Sequence, residues 1–176
     1  DVERSRGLGD VYKRQTMDLG ESQGGLPPDH VVEDRDDILT STESVIARHH
    51  DGDMVQVTVA PCSPFSVTTE LMVESAELAR RHGLRLHTHL CETVDEQHHC
   101  VERFGRRPVE MLDEWGWVGD DVWLAHGIHI DDAEMVRLGA AGTGIAHCPS
   151  SNARLAAGLC RAVSYTHLTL PTILRV

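Results

Sequence analysis

Lysine is almost missing from this sequence: Lys13 is the one example in 176 residues. With 16 basic against 28 acidic side chains and a formal net charge of −12, there is no clustered basic surface to follow a nucleic-acid backbone. Nucleic acid is therefore not an expected partner. Long hydrophobic runs are absent too. None approaches the roughly 20 residues that span a bilayer, so no membrane partner is expected. The five cysteines, Cys62, Cys91, Cys100, Cys148 and Cys160, include no C-x-x-C pair. An odd set of this kind fits a reducing cytoplasm better than a disulfide framework or a structural zinc knuckle. No G-x-G-x-x-G or G-x-x-x-x-G-K follows an apolar run, which removes the usual phosphate-binding loops.

What is present suits a globular chain. The sequence is 40% hydrophobic with a mean hydropathy of −0.26, and its length matches one domain with a real core. The lysine and both tyrosines, Tyr12 and Tyr165, sit near the ends. The runs Arg6-Gly-Leu-Gly-Asp-Val-Tyr-Lys-Arg-Gln15 and Val163-Ser-Tyr-Thr-His-Leu-Thr-Leu-Pro-Thr172 resemble translated sequencing-adapter read-through. Residues 1–15 and 163–176 are accordingly expected to be non-native and to add no core, leaving 16–162 as the natural segment of a longer protein.

Hydrophobic periodicity divides that segment into alternating apolar runs and amphipathic stretches. Residues 55–60, 84–90, 122–125 and 143–146 are expected as strands. Residues 36–50, 68–81, 94–104, 108–115 and 131–141 are expected as helices, with Gly83 stopping one and Pro108 opening another. Gly24-Gly25-Leu26-Pro27-Pro28 marks a loop. This alternation predicts βαβ construction around a parallel sheet.

The residues that could carry chemistry gather where those strands end. The ends read Pro61-Cys62-Ser63-Pro64-Phe65, His87-Thr88-His89-Leu90-Cys91-Glu92, His126-Gly127-Ile128-His129 and His147-Cys148-Pro149-Ser150-Ser151-Asn152. Active sites of parallel βα folds are built at that end of the sheet. On a strand, residues two apart share a side, so His87 and His89 could both face inward. Histidines on three successive strand ends, with Glu92 beside them, point to a metal site more than to packing. Asp95, Glu96, His98 and His99 look similar but fall on a helical pattern, where a solvated face is the expected reading. Cys91 is expected to be a buried structural thiol.

These motifs, together with Leu19-Gly20-Glu21-Ser22-Gln23-Gly24-Gly25-Leu26-Pro27-Pro28-Asp29, resemble in order and spacing the amidohydrolase superfamily, in its branch of nucleobase deaminases and triazine hydrolases. The likeness runs from about Met17 to Ala157. It implies an α/β fold, a partial (β/α)8 TIM barrel comprising roughly strands four to seven with their helices. It also implies a role for each matching residue: His89 as a metal ligand, Glu92 as the proton shuttle and His126 as the partner of the metal-bound hydroxide. Cys62, Ser63 and Phe65 would wall the substrate pocket. The implied cofactor is one Zn²⁺ or Fe²⁺ per site. The implied partner is a small heterocyclic substrate, and the intact protein could be a homo-oligomer. The implied reaction is hydrolytic deamination of a purine-like ring. The alternatives are displacement of a chloro or alkylamino group from a triazine, and a non-catalytic βα binding module. The P-C-x-x-C pattern of the zinc deaminases that act on nucleic acids is absent, since Pro61-Cys62 has no second Cys. The family's strand-one H-x-H and strand-eight Asp have no counterpart, so this chain taken alone is expected to be an inactive fragment.

Overall fold

A computed structural model describes residues 10–167 and 172–174. The chain forms two compact units. The first holds residues up to Cys62 together with Ser66–Leu86; the second holds Ser63–Phe65 and the chain from His87 onward.

In the first unit, strand β1 (Asp10–Thr16) leads through helix α1 (Arg35–His49) to β2 (Val55–Pro61). Helix α2 (Thr69–Arg81) then leads into β3 (Arg85–Leu90). β1 and β2 pair in parallel from Asp10 opposite Val55 to Thr16 opposite Pro61, and β2 pairs with β3 at Thr58–Arg85 and Val59–Leu86. Val57, Val59 and Ala60 of β2 are buried against Leu71, Met72, Ala76, Leu78 and Ala79 of α2 and Ile38 and Ile46 of α1 in the core of this unit. The helix starts are set by side chains. Asp34 accepts hydrogen bonds from the Asp36 and Asp37 amides, and Thr68 accepts one from Leu71. Each such cap satisfies donors that the first helical turn leaves open. Gly83, at φ +65°, turns the chain out of α2 in the left-handed region, as its position predicts.

The apolar pattern assigns no strand before residue 55, whereas residues 10–15 form most of β1. The apolar pattern does not mark this strand because a backbone ladder defines it, and Arg14 finds partners of its own. Arg14 reaches both carboxylate oxygens of Glu33 and the Ser41 hydroxyl. At the other end, Ala162–His167 is helical and Thr172–Leu174 pairs in parallel with Ile145–His147. Leu170 lies outside the described residues. In the Gly24-Gly25 turn, a Cβ on Gly25 would stand 2.1 Å from the Leu19 carbonyl oxygen, so no larger residue fits there.

The second unit continues from the end of β3 through α3 (Val94–Phe104) and α4 (Pro108–Glu114) to β4 (Val122–His126). It then runs through α5 (Asp132–Ala141), β5 (Gly144–His147) and the short α6 (Pro149–Arg154). β3 neighbours β4, and β4 pairs in parallel with β5 from Trp123 opposite Gly144 to Ala125 opposite Ala146. Leu90, Cys100, Leu112, Trp117, Leu124, Met135, Leu138 and Ile145 are fully buried in its core. Helix α6 has no counterpart among the expected elements; its six residues are too few to show a helical period. Strand, helix and strand follow each other with parallel pairing in both units, as the alternation predicts.

Candidate functional site

His89 stands one residue before the end of β3, and His126 is the last residue of β4. Beyond each, the backbone leaves the strand in an unusual way. Cys91 has φ +52° and His126 has φ +73°, and among the described residues only Ala156 joins them as a non-glycine residue with positive φ. L-residues rarely occupy this region, and such conformations persist where surrounding contacts enforce them. The contacts are visible here. The Gly127 amide donates to the Leu90 carbonyl at 3.0 Å, and the Ile128 and His129 amides both donate to the Cys91 carbonyl, at 2.9 and 3.0 Å. The two strand ends are thereby stitched together beside the residues expected to carry the chemistry.

That stitching brings the expected trio into one place. The His89 and His126 rings lie with centroids 5.5 Å apart. Glu92 Oε1 lies 3.4 Å from His126 Nε2. On its other side, His126 Nδ1 is 2.8 Å from Asn152 Oδ1. An amide oxygen only accepts, so Nδ1 carries the hydrogen and Nε2 is the atom turned toward Glu92. His126 is buried, whereas Glu92 keeps partial access to solvent. The arrangement can hold a proton between a carboxylate and an imidazole whose far side is fixed.

His87 faces other work. Its Nδ1 donates to the Trp123 carbonyl at 3.1 Å, and its ring stacks on Trp123 at 5.0 Å. This bond ties β3 to β4. His147, at the end of β5, has a buried Nδ1 with no hydrogen-bond partner. The expected pocket wall is divided. Cys62 belongs to the first unit, where its amide donates to Thr16 and its sulfur accepts from Gln15. Ser63 and Phe65 belong to the second, where Phe65 packs on His99 with centroids 5.0 Å apart. Cys91 is fully buried, and burial pushes its thiol well above the ordinary range, so it is no nucleophile.

One expectation is overturned. Glu96 does not lie on a solvated face: it is 2% exposed. Its Oε1 accepts from the Cys91 amide at 2.7 Å and its Oε2 from the Glu92 amide at 2.9 Å. Burial pushes its carboxyl up to about 7, against the opposing pull of those two amides. The reason is its place in the helix. Thr93 caps α3 by accepting from the Glu96 amide, which sets Glu96 on the first turn with its side chain aimed back along the incoming chain. The spacing Thr93-Val94-Asp95-Glu96 is the capping-box pattern and carried that signal. Asn152 had no such signal, because nothing in a sequence says which amide meets which imidazole.

A second, half-buried network backs the loop after β4. Arg107 Nε and Nη2 each donate to Glu134 at 2.8 Å, and Nη2 also reaches the His129 carbonyl at 3.3 Å. The paired Glu134 raises the Arg107 pKa further above its ordinary value.

Among the described residues, no group of three or more His, Cys, Asp or Glu side chains is disposed to hold a metal ion. A catalytic zinc takes about three protein ligands, so the donors present do not make a metal site by themselves.

The comparisons with known proteins agree on one family. A family model described as the amidohydrolase family matches residues 7–167. The 8-oxoguanine deaminase of Pseudomonas aeruginosa is 56% identical over 160 residues, covering 89% of this chain and 36% of the relative. The solved structure of atrazine chlorohydrolase TrzN from Arthrobacter aurescens TC1, complexed with zinc, superposes with a TM-score of 0.90 at 29% identity, covering 96% of this chain and 38% of that one. Guanine deaminase from C. acetobutylicum, solved with guanine in its active site, gives a TM-score of 0.85 at 26% identity, covering 96% and 40%. The chain thus spans little more than a third of the length of these relatives, and its fold is the corresponding part of their α/β barrel.

Proposed function

Since the chain belongs to the amidohydrolase family, we propose that it carries the proton-handling part of a hydrolase acting on C–N bonds, one that deaminates a purine-like ring of the 8-oxoguanine type. The observation that carries this reading is the 3.4 Å approach of Glu92 Oε1 to His126 Nε2 beside the His89 ring.

Hydrolytic deamination adds a water oxygen to an amidine-like ring carbon, moves a proton to the adjacent ring nitrogen, and then breaks the exocyclic C–N bond as ammonia leaves. Glu92 suits the proton steps. Its carboxylate takes one proton from water and gives it to the ring nitrogen, then takes the second from the added hydroxyl, as C=O forms, and gives it to the departing amine. His126, held through Nδ1 by Asn152, presents Nε2 to the oxygen that is adding; once Nε2 also takes up a proton, the imidazolium stabilises the charge on that oxygen. His89 is assigned to a divalent metal, zinc or iron(II). Because the donors around it fall short of a complete site, the remaining ligands are assigned to residues beyond those described. The P. aeruginosa relative, at 56% identity, supports a purine-like ring over a triazine, since hydroxydechloroatrazine ethylaminohydrolase of Pseudomonas sp. matches at 44%. No helix among the described residues is long and apolar enough to cross a membrane. A cytoplasmic role in purine breakdown is part of the same proposal.

The test is a chimera in which this chain replaces the matched segment of the P. aeruginosa deaminase. It should release ammonia from 8-oxoguanine and, more slowly or not at all, act on a triazine. Glu92→Gln should keep the metal and lose most turnover; His89→Ala should lose the metal as well. Full turnover in the folded Glu92→Gln chimera would overturn the assignment, and faster triazine turnover would replace the substrate.

A further inference from the structure

We propose that Glu96 is a positioning residue for Glu92: its two carboxylate oxygens clamp the Cys91 and Glu92 amides and so aim the Glu92 side chain at His126. The inference rests on the reading of Glu92 given above and adds a residue to it. Three observations carry it. Glu96 is 2% exposed, which is rare for a carboxylate unless its oxygens are engaged. Both oxygens are engaged, one on each of two consecutive amides, at 2.7 and 2.9 Å. Those amides flank the point where the chain turns through the left-handed conformation of Cys91, at φ +52°.

The turn at Cys91 decides where Glu92 goes. A strand continuing past Leu90 would carry position 92 along the β direction. The left-handed residue redirects it, and Glu92 comes to lie 3.4 Å from His126 Nε2. A lone left-handed Cys is unfavourable, so something must hold it. From one side the Ile128 and His129 amides take the Cys91 carbonyl. From the other, Glu96 takes the Cys91 amide and its successor. The cap of α3 does not need this arrangement: Thr93 already accepts from the Glu96 amide. Glu96 therefore spends its carboxylate on the two residues before the cap, one of them Glu92 itself.

The experiment uses the full 176-residue chain labelled for NMR. In the unchanged chain, the Glu92 γ-protons should show a nuclear Overhauser contact to the His126 ring, and the Cys91 and Glu92 amides should exchange slowly. Glu96→Gln keeps the volume but leaves a single acceptor oxygen, and Glu96→Ala leaves none. The contact should weaken in the first and vanish in the second, with amide protection at 91 and 92 falling in step while the signals of β4 and β5 stay in place. A purely structural role would lower the melting temperature and leave the contact intact. That result overturns the proposal, as does global unfolding of both variants. In the chimera described above, Glu96→Gln should lower kcat with KM nearly unchanged, since a misplaced proton carrier costs up to about 100-fold in rate. If the chimera is inactive with Glu96 present, the functional reading fails. If it is active and Glu96→Gln is equally active, this inference alone fails.

Discussion

Replacing Glu96 with glutamine should change how the stability of the chain depends on pH, and the structure gives both the sign and the size. The carboxyl is raised from 4.5 to about 7 because burial disfavours its charge. Between those two values the folded chain keeps a proton that the unfolded chain has released. Stability linked to this group is therefore fully present below pH 4.5 and is lost as pH rises through about 7. At about 1.4 kcal/mol per pH unit of separation, the loss is on the order of 3 kcal/mol across the window. Glutamine does not titrate and should remove this slope. Urea denaturation of both forms at a series of pH values from 4 to 8 tests the point, because the other carboxylates contribute equally to both and cancel. The stability difference should move toward the variant by about 3 kcal/mol as pH rises. Two curves that run parallel within about 0.5 kcal/mol would refute the argument, for the buried carboxyl would then titrate as it does in the unfolded chain.

Arg107→Met leaves the buried Glu134 with only the Asp131 amide of the partners described and, because Arg107 is itself partly exposed, should cost about 1–3 kcal/mol by urea denaturation; a loss under about 0.5 kcal/mol would show that water replaces the guanidinium. Asn152→Ala takes away the acceptor on His126 Nδ1, so long-range ¹H–¹⁵N spectra should show the ring passing from the Nδ1–H tautomer to a mixture; an unchanged tautomer would mean that Asn152 does not set it. Trp117, fully buried between α4 and β4, should cost about 3–5 kcal/mol when changed to alanine, read from the shift in the unfolding midpoint.

Period and turn chemistry made most of the fold legible in the sequence. Helix α2 shows why: Leu71, Met72, Ala76, Leu78 and Ala79 recur at helical spacing and are all buried, and Thr68 and Gly83 bracket them in their expected roles. The strands β2 and β3 are read as easily, because a β-branched or aliphatic run ended by a turn has few other uses. β1 is the exception, and its failure has a physical cause. A strand that reads Asp10-Val11-Tyr12-Lys13-Arg14-Gln15-Thr16 gives no sustained apolar alternation. What defines it is seven backbone pairings with β2 and the reach of Arg14 to Glu33 and Ser41. Pairing with a partner some forty residues away is not written in local composition, and the unusual composition of this stretch argued the other way.

The candidate site divides along the same line. Strand ends and residue type gathered His87, His89, Glu92, His126 and His147, and the family resemblance singled out His89, Glu92 and His126 among them. The groups that make them act together could not, since each depends on a contact between elements. Asn152 comes from α6, a helix too short to be foreseen, and meets His126 across 26 positions of sequence. Glu96 shows the subtler case. Its charge and its helical position argue for solvent, and the argument fails because two amides at a left-handed turn need an acceptor more than the carboxylate needs water. Burying a carboxylate is unfavourable unless hydrogen bonds replace its hydration, so a carboxylate that stays buried marks backbone that must be held. Here that backbone carries Glu92, and the reasoning that misplaced Glu96 therefore also points to the residue whose geometry matters most.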